Sequence, residues 1–163
     1  MNEQFFFTDE TASRIADFAQ EFPRPCCLCA PTVGKELASR GVEVRTLDID
    51  ERFADLPGFR RWDLHRPEWL GEEFGIIVCD PPFFNASLSG LFSAIRTLSR
   101  NDFDQPLFVT YLVRRSPNVI GTFSPFGLRP TGLHPDYLTV VNCRKNDIEF
   151  FSNVPRPRLP VWD

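Results

Sequence analysis

Lysine is almost missing from this chain. Lys35 and Lys145 are its only examples, so nearly all of the 18 basic residues are arginine, which offers a planar hydrogen-bonding cation in place of a point charge. A positive surplus is missing too. The formal net charge is −4, which argues against a strongly basic, non-specific nucleic-acid binder. Residues 1–90 carry 9 basic and 16 acidic side chains and residues 91–163 carry 9 and 6, so the second part has either a modest positive face or ordinary solvated arginines. A long apolar run is lacking, and the opening MNEQFFFTDE has no cationic flank. The reading therefore expects no membrane span, no signal peptide and a cytoplasmic protein. Cysteine is scarce as a ligand set: there are 5, without two paired C-x-x-C motifs and without histidine at ligand spacing. Buried free thiols and no metal are expected.

What is present suits one globular unit. At 163 residues and 42% hydrophobic content, with 17 Phe, the chain is long enough for a single continuous core. Residues 1–154 read as one domain, and the Pro-rich 155–163, PRPRLPVWD, as an extended tail that either packs on the surface or covers an opening.

The periodicity alternates between helix and strand. Residues 9–22 place Ile15, Phe18, Ala19 and Phe22 at helical spacing, and Pro23 and Pro25 end that helix. Residues 26–30 are a buried strand; a turn at Pro31 and Thr32 opens a helix carrying Val33, Leu37 and Ala38, which Gly41 closes. Strands follow at 42–50 and, as a polar edge, at 59–63. The run FGIIVCDPPFF from Phe74 to Phe84 has the composition of a parallel strand buried on both faces. A helix at 88–98, a strand at 106–113 and β-rich pieces at 127–133, 137–144 and 147–152 complete the pattern. Parallel units first and an antiparallel hairpin last predict an α/β fold: a three-layer, Rossmann-like sheet of about seven strands with helices on both faces.

In such a sheet ligands bind at the carboxyl ends of the strands, and that is where the buried run ends in Asp80-Pro81-Pro82-Phe83. This tetrapeptide suits the holding of an amine whose lone pair is delocalised into a ring. Asp80 accepts one amino hydrogen, the Pro81 carbonyl accepts the other, Pro82 helps fix the backbone, and Phe83 or Phe84 stacks on a planar base. An acid about 20 residues beyond the first strand serves ribose hydroxyls in dinucleotide-type sites. Asp48 and Asp50 lie 18 and 20 positions past Ala30, and either meets that need. Asp63, ending the third strand, is placed to bond an adenine amine. The loop after the first strand departs from the usual pattern, with one glycine, Gly34, in Ala30-Pro31-Thr32-Val33-Gly34. His65 and His134 sit in polar or Pro-flanked turns and receive no proton-transfer role.

These residues carry a resemblance. Asp-Pro-Pro followed by Phe or Tyr after a strand is similar to the motif of amino-group methyltransferases that use S-adenosylmethionine. The opening Gln4-Phe5-Phe6-Phe7-Thr8-Asp9-Glu10-Thr11-Ala12, the turn Ala30-Pro31-Thr32-Val33, Asp48-Ile49-Asp50-Glu51-Arg52-Phe53 and Asp80-Pro81-Pro82-Phe83 occur in that order in the probable N6-adenine methyltransferase family. That family includes elongation-factor lysine methyltransferases and is similar to zinc-finger ribosomal-RNA adenine methyltransferases. The resemblance implies a class I methyltransferase fold with S-adenosylmethionine as cofactor. Gln4, Phe5, Thr8, the turn Ala30-Pro31-Thr32 and Asp50 would lie against the cofactor, and Asp80 to Phe83 at the amine. It implies adenine N6 of an RNA or DNA as first substrate, with a partner protein supplying affinity where the chain lacks a recognition domain. A lysine of a translation factor, within a basic protein segment, is the alternative. A cofactor-binding pseudoenzyme, motivated by the glycine-poor loop, is the third reading.

Overall fold

A computed structural model describes residues 6–138 and 147–162. Five strands run parallel: β1 (Cys26–Leu28), β2 (Arg45–Asp48), β3 (Phe59–Arg61), β4 (Ile77–Cys79) and β5 (Leu107–Leu112). Two more, β6 (Arg129–Pro130) and β7 (Ile148–Ser152), add antiparallel at one side. The order is β3-β2-β1-β4-β5-β7-β6, the mixed seven-stranded sheet that the alternating pattern predicts. β3 is an edge, as its polar composition requires.

Strand alternation separates two cores. Cys27, Val78, Phe108 and Phe150 face α1 (Asp9–Ala19) and α2 (Pro31–Ser39). Leu28, Ile77, Val109 and Phe151 face α3 (Leu88–Leu98) and α4 (Ser116–Thr122). Both faces of β4 and β5 are fully covered, which is why these strands read as unbroken apolar runs.

Three local features differ from expectation. The segment after β5 forms α4, a helix hidden in SPNVIGT because Pro, Gly and β-branched residues all lower helix propensity; Pro117 is tolerated because it sits in the first turn. The expected strand at 127–133 shrinks to two residues between a left-handed Gly127 (φ 73°) and Thr131, and Pro130 is admissible there because β6 is an edge. Of the expected strand at 137–144, Tyr137 makes an isolated antiparallel bridge with Phe7; 139–146, with Cys143, lie outside the described residues.

The Pro-rich tail packs on the α1 face. Phe108 and Phe150 stack at 4.0 Å between centroids, Trp162 meets them edge-on at 6.5 and 5.7 Å, and the Arg158 guanidinium lies 4.6 Å from the Phe22 ring centroid. The tail therefore adds a cover to rings that α1 also packs against, Phe18 lying 4.9 Å from Phe108 between centroids. Trp162→Ala is expected to lower stability by about 1–3 kcal/mol, the cost of uncovering part of an aromatic core. Urea unfolding reads this directly, and an unchanged midpoint would show the contact to be idle.

Candidate active site

Sheet topology creates the site. From β1 the chain winds outward to β2 and β3, then returns to β4 beside β1, so crossovers leave the β1/β4 pair in opposite directions and a crevice opens at their carboxyl ends. A cavity of about 540 Å³ occupies that position. Asp80 follows β4 directly, and its N–H donates to the Leu28 carbonyl at 3.2 Å, which fixes the acid to the end of β1.

The Asp80 carboxyl is held by two hydroxyls. Thr110 Oγ1 on β5 donates to Oδ1 at 2.6 Å and Tyr137 Oη donates to the same oxygen at 2.8 Å. Oδ2 receives no hydrogen bond among the described residues, and Asp80 lines the cavity. Burial pushes its pKa up to about 7; the two hydroxyls pull it down and the nearby Asp48 carboxylate pushes it further up.

The turn after β1 resolves the missing glycines. Cys29 takes the left-handed conformation (φ 56°) that glycine usually supplies, and Pro31 starts α2, where its absent N–H costs nothing. Gly34 performs the helix–strand contact: a Cβ there would run into Thr46 Oγ1 on β2. One glycine is enough because the turn's left-handed residue is a cysteine. The first turn of α2 thus reaches the cavity, with Ala30, Pro31 and Thr32 in its wall.

Of the other expected cofactor residues, Asp48 and Asp63 line the cavity and Asp50 does not. Asp48 is 2% exposed, and its Oδ1 accepts from the Asp50 N–H at 2.9 Å. Asp50 instead turns to Arg52, with Nε at 3.0 and 2.9 Å and Nη2 at 2.6 Å, and this pairing lowers its pKa. Between the two acids left open by spacing, the structure puts Asp48 at the cavity; Asp50 is drawn off by its neighbouring guanidinium. Asp63 Oδ1 accepts from the His65 N–H at 2.9 Å. Thr8 does not line the cavity: its hydroxyl caps α1 by accepting from Thr11 N at 3.2 Å. Gln4 and Phe5 lie outside the described residues. Pro81, Pro82 and Phe83 form the wall beside Asp80, with Phe83 edge-on to Tyr111 at 5.6 Å and Phe84 78% exposed.

Several wall residues carry no sequence motif: Trp62, His65 and, above all, Tyr137. Thr110 lies inside a buried strand, where a hydroxyl reads as incidental. Among the described residues no group of three or more His, Cys, Asp or Glu side chains is placed to hold a metal, and no helix is long and apolar enough to cross a membrane. Cys26, Cys27, Cys29 and Cys79 are free thiols; burial pushes Cys27 up to about 12 and the others upward as well.

A carboxylate and two prolines at the switch point of this sheet define a class I, S-adenosylmethionine-dependent methyltransferase. The chain belongs to a particular family within that class, the probable N6-adenine methyltransferases, whose model matches residues 1–154. It is 36% identical over 98 residues to EEF1A lysine methyltransferase 1 of Danio rerio, a match covering 50% of this chain and 59% of that protein. Its fold is similar to magnesium protoporphyrin IX methyltransferase from Synechocystis PCC 6803 with bound SAM (TM-score 0.58, 17% identity, 88% of this chain and 76% of that one). It is also similar to a TehB-like SAM-dependent methyltransferase from Corynebacterium glutamicum (0.57, 16%, 87% and 84%).

The donor set fits this cofactor: a buried acid at the end of β2, a second acid after β3 and the first turn of α2 converge on one cavity. The turn itself is testable. Cys29→Val, a β-branched side chain at positive φ, should lose about 1–3 kcal/mol, whereas Cys29→Gly should unfold no earlier than the parent. Denaturant titration of both variants compares them, and equal losses would refute the account of the turn.

Proposed function

We propose that the chain methylates an amino nitrogen held by Asp80, and that this nitrogen is the ε-amine of a protein lysine. The observation that carries the reading is the Asp80 carboxyl in the cavity wall, with two hydroxyls donating to Oδ1 and no hydrogen bond to Oδ2 among the described residues. Bound S-adenosylmethionine would supply a methyl group on a sulfonium sulfur that keeps the electron pair of the broken bond. Asp48 serves a ribose hydroxyl, Asp63 the cofactor adenine, and the Ala30-Pro31-Thr32 turn the remaining polar end. Pro81 directs its carbonyl at the amine, and Phe83 packs beside it.

Three considerations favour lysine. The zebrafish relative is named as a lysine methyltransferase. Asp48, Asp63 and Asp80 line the cavity with no Arg or Lys among its described lining residues, a charge that draws in an ammonium and repels a phosphate. Lysine must also lose a proton before it attacks, and a carboxylate with a pKa of about 7 is far better suited to take it than an ordinary one. Asp80 Oδ2 accepts that proton, and the freed lone pair forms the new carbon–nitrogen bond.

Adenine N6 is the second reading, favoured by aromatic rings at the motif. Phe83 and the exposed Phe84 offer flat surfaces for a base that is single-stranded or turned out of its helix. Labelled cofactor given separately to cell protein and to total RNA and DNA separates them. N-methyllysine after protein hydrolysis is expected. N6-methyladenosine in the nucleoside digest, with no methyllysine, would replace the first reading with the second.

In either reading Asp80 acts ionised. Below its pKa the carboxyl is protonated and accepts nothing, so kcat/KM should rise with pH along a limb centred near 7. Asp80→Asn should lose that limb and lower kcat by about 10²–10³-fold. Its calorimetric affinity for S-adenosylhomocysteine should stay within about threefold of the parent, as for a group engaged only with the amine. Full turnover in this variant would remove Asp80 from the chemistry.

A further inference from the structure

We propose that Tyr137 is a positioning residue for the transfer: its hydroxyl, together with that of Thr110, fixes one oxygen of Asp80 so that the other is presented to the amine, and it fastens this acceptor to the segment Phe6–Thr8, of which Phe6 and Phe7 stand in the same cavity wall. The proposal rests on the reading of Asp80 as the amine's acceptor.

Two donors converging on one carboxylate oxygen leave the side chain little rotational freedom. Thr110 approaches from β5 at 2.6 Å and Tyr137 from the far side of the sequence at 2.8 Å. Hydrogen bonds to an ionised acceptor are the strong ones, and here they have no cationic competitor among the described lining residues. Asp48, the last residue of β2, opposes the Asp80 charge, and the Cys29 and Cys79 thiols, raised by burial, offer it no positive partner; Asp63 and His65 share the cavity wall. The two hydroxyls are therefore what favours the charged form.

Tyr137 is itself held on several sides. Its backbone bridges Phe7, the Thr8 N–H donates to the Asp136 carbonyl at 2.9 Å, and the Leu138 N–H donates to the Phe6 carbonyl at 2.8 Å. The Asp136 N–H donates to Thr11 Oγ1 at 3.1 Å, which ties the pair to α1. The Tyr137 ring stacks on Phe7 at 5.1 Å and 25°, and Phe7, 2% exposed, leans on Phe150 at 6.2 Å. Packing alone asks only for the ring; the hydroxyl's distance to Oδ1 is what assigns it a role in the site.

Tyr137→Phe keeps the ring and removes the hydroxyl, so it separates the two. Carbon-13 NMR of labelled aspartate, with the Asp80 signal identified by its loss in Asp80→Asn, reads the carboxyl's titration without any substrate. The midpoint should rise by about 0.5–1 pH unit on loss of one donor, and Thr110→Val should move it the same way. The acid limb of kcat/KM should move with it, kcat at pH 7 should fall about tenfold, and affinity for S-adenosylhomocysteine should hold within about threefold. An unmoved midpoint, or weakened cofactor binding and stability with the pH limb in place, overturns the role given to Tyr137. A moved midpoint with turnover indifferent in both Tyr137→Phe and Asp80→Asn overturns instead the reading of Asp80 on which the proposal rests.

Discussion

A carboxyl group taken out of water at the rim of a parallel sheet needs partners, and the way Asp80 obtains them organises the rest of the site. Its backbone is pinned to the end of β1, its Oδ1 to a hydroxyl of β5 and to one from residue 137. Three parts of the chain that are distant in sequence therefore meet at this one carboxyl. Because two hydroxyls compensate only part of the burial, the group stays poised near neutrality, which is where a group that must both accept and release a proton works best. A cationic partner would have bound the carboxylate more firmly and made it a poorer base.

The opposite wall shows how a fold keeps a function after changing the residues that usually support it. A glycine-rich turn normally provides a left-handed residue, a close approach to the ligand and a close helix–strand contact. Here those duties are divided among Cys29, the side-chain-poor Ala30 and Gly34. The strain of a left-handed cysteine is retained by packing on both sides of β1. This removes the physical ground for the pseudoenzyme reading, which rested on a count of glycines and not on the conformation they serve.

Legibility followed physical locality. The mixed seven-stranded sheet, the edge position of β3 and the acid at the end of β4 were readable because each depends on a short run of residues with a clear period or a clear stop. The helix Ser116–Thr122 was not, since its own propensity is low and its buried Val119 shows its place only once the core cluster forms. The choice between Asp48 and Asp50 was invisible to spacing and was made by a single local competitor, Arg52. Thr110 and Tyr137 left no signal at all, because a hydroxyl in a strand and a tyrosine after a turn acquire meaning only when the sheet brings them to one oxygen.

The two substrate readings share a pocket but differ in when the proton leaves. An adenine amine attacks with its protons in place and sheds one afterwards, so its acceptor must orient a neutral group and draw the lone pair out of the ring. A lysine must be deprotonated first, in a cavity where a sulfonium already disfavours a second positive charge. An ordinary exposed carboxylate serves the first task and fails at the second, since it stabilises the ammonium more than it can remove its proton. Desolvation changes that balance: the same burial that weakens Asp80 as an anion strengthens it as a base, and with Oδ1 already engaged its basic character is concentrated on the one oxygen that meets the amine. The burial of Asp80 thus supplies, from the fold alone, the property that its identity as an aspartate in a turn does not, and this is why the lysine reading gains most from the three-dimensional arrangement.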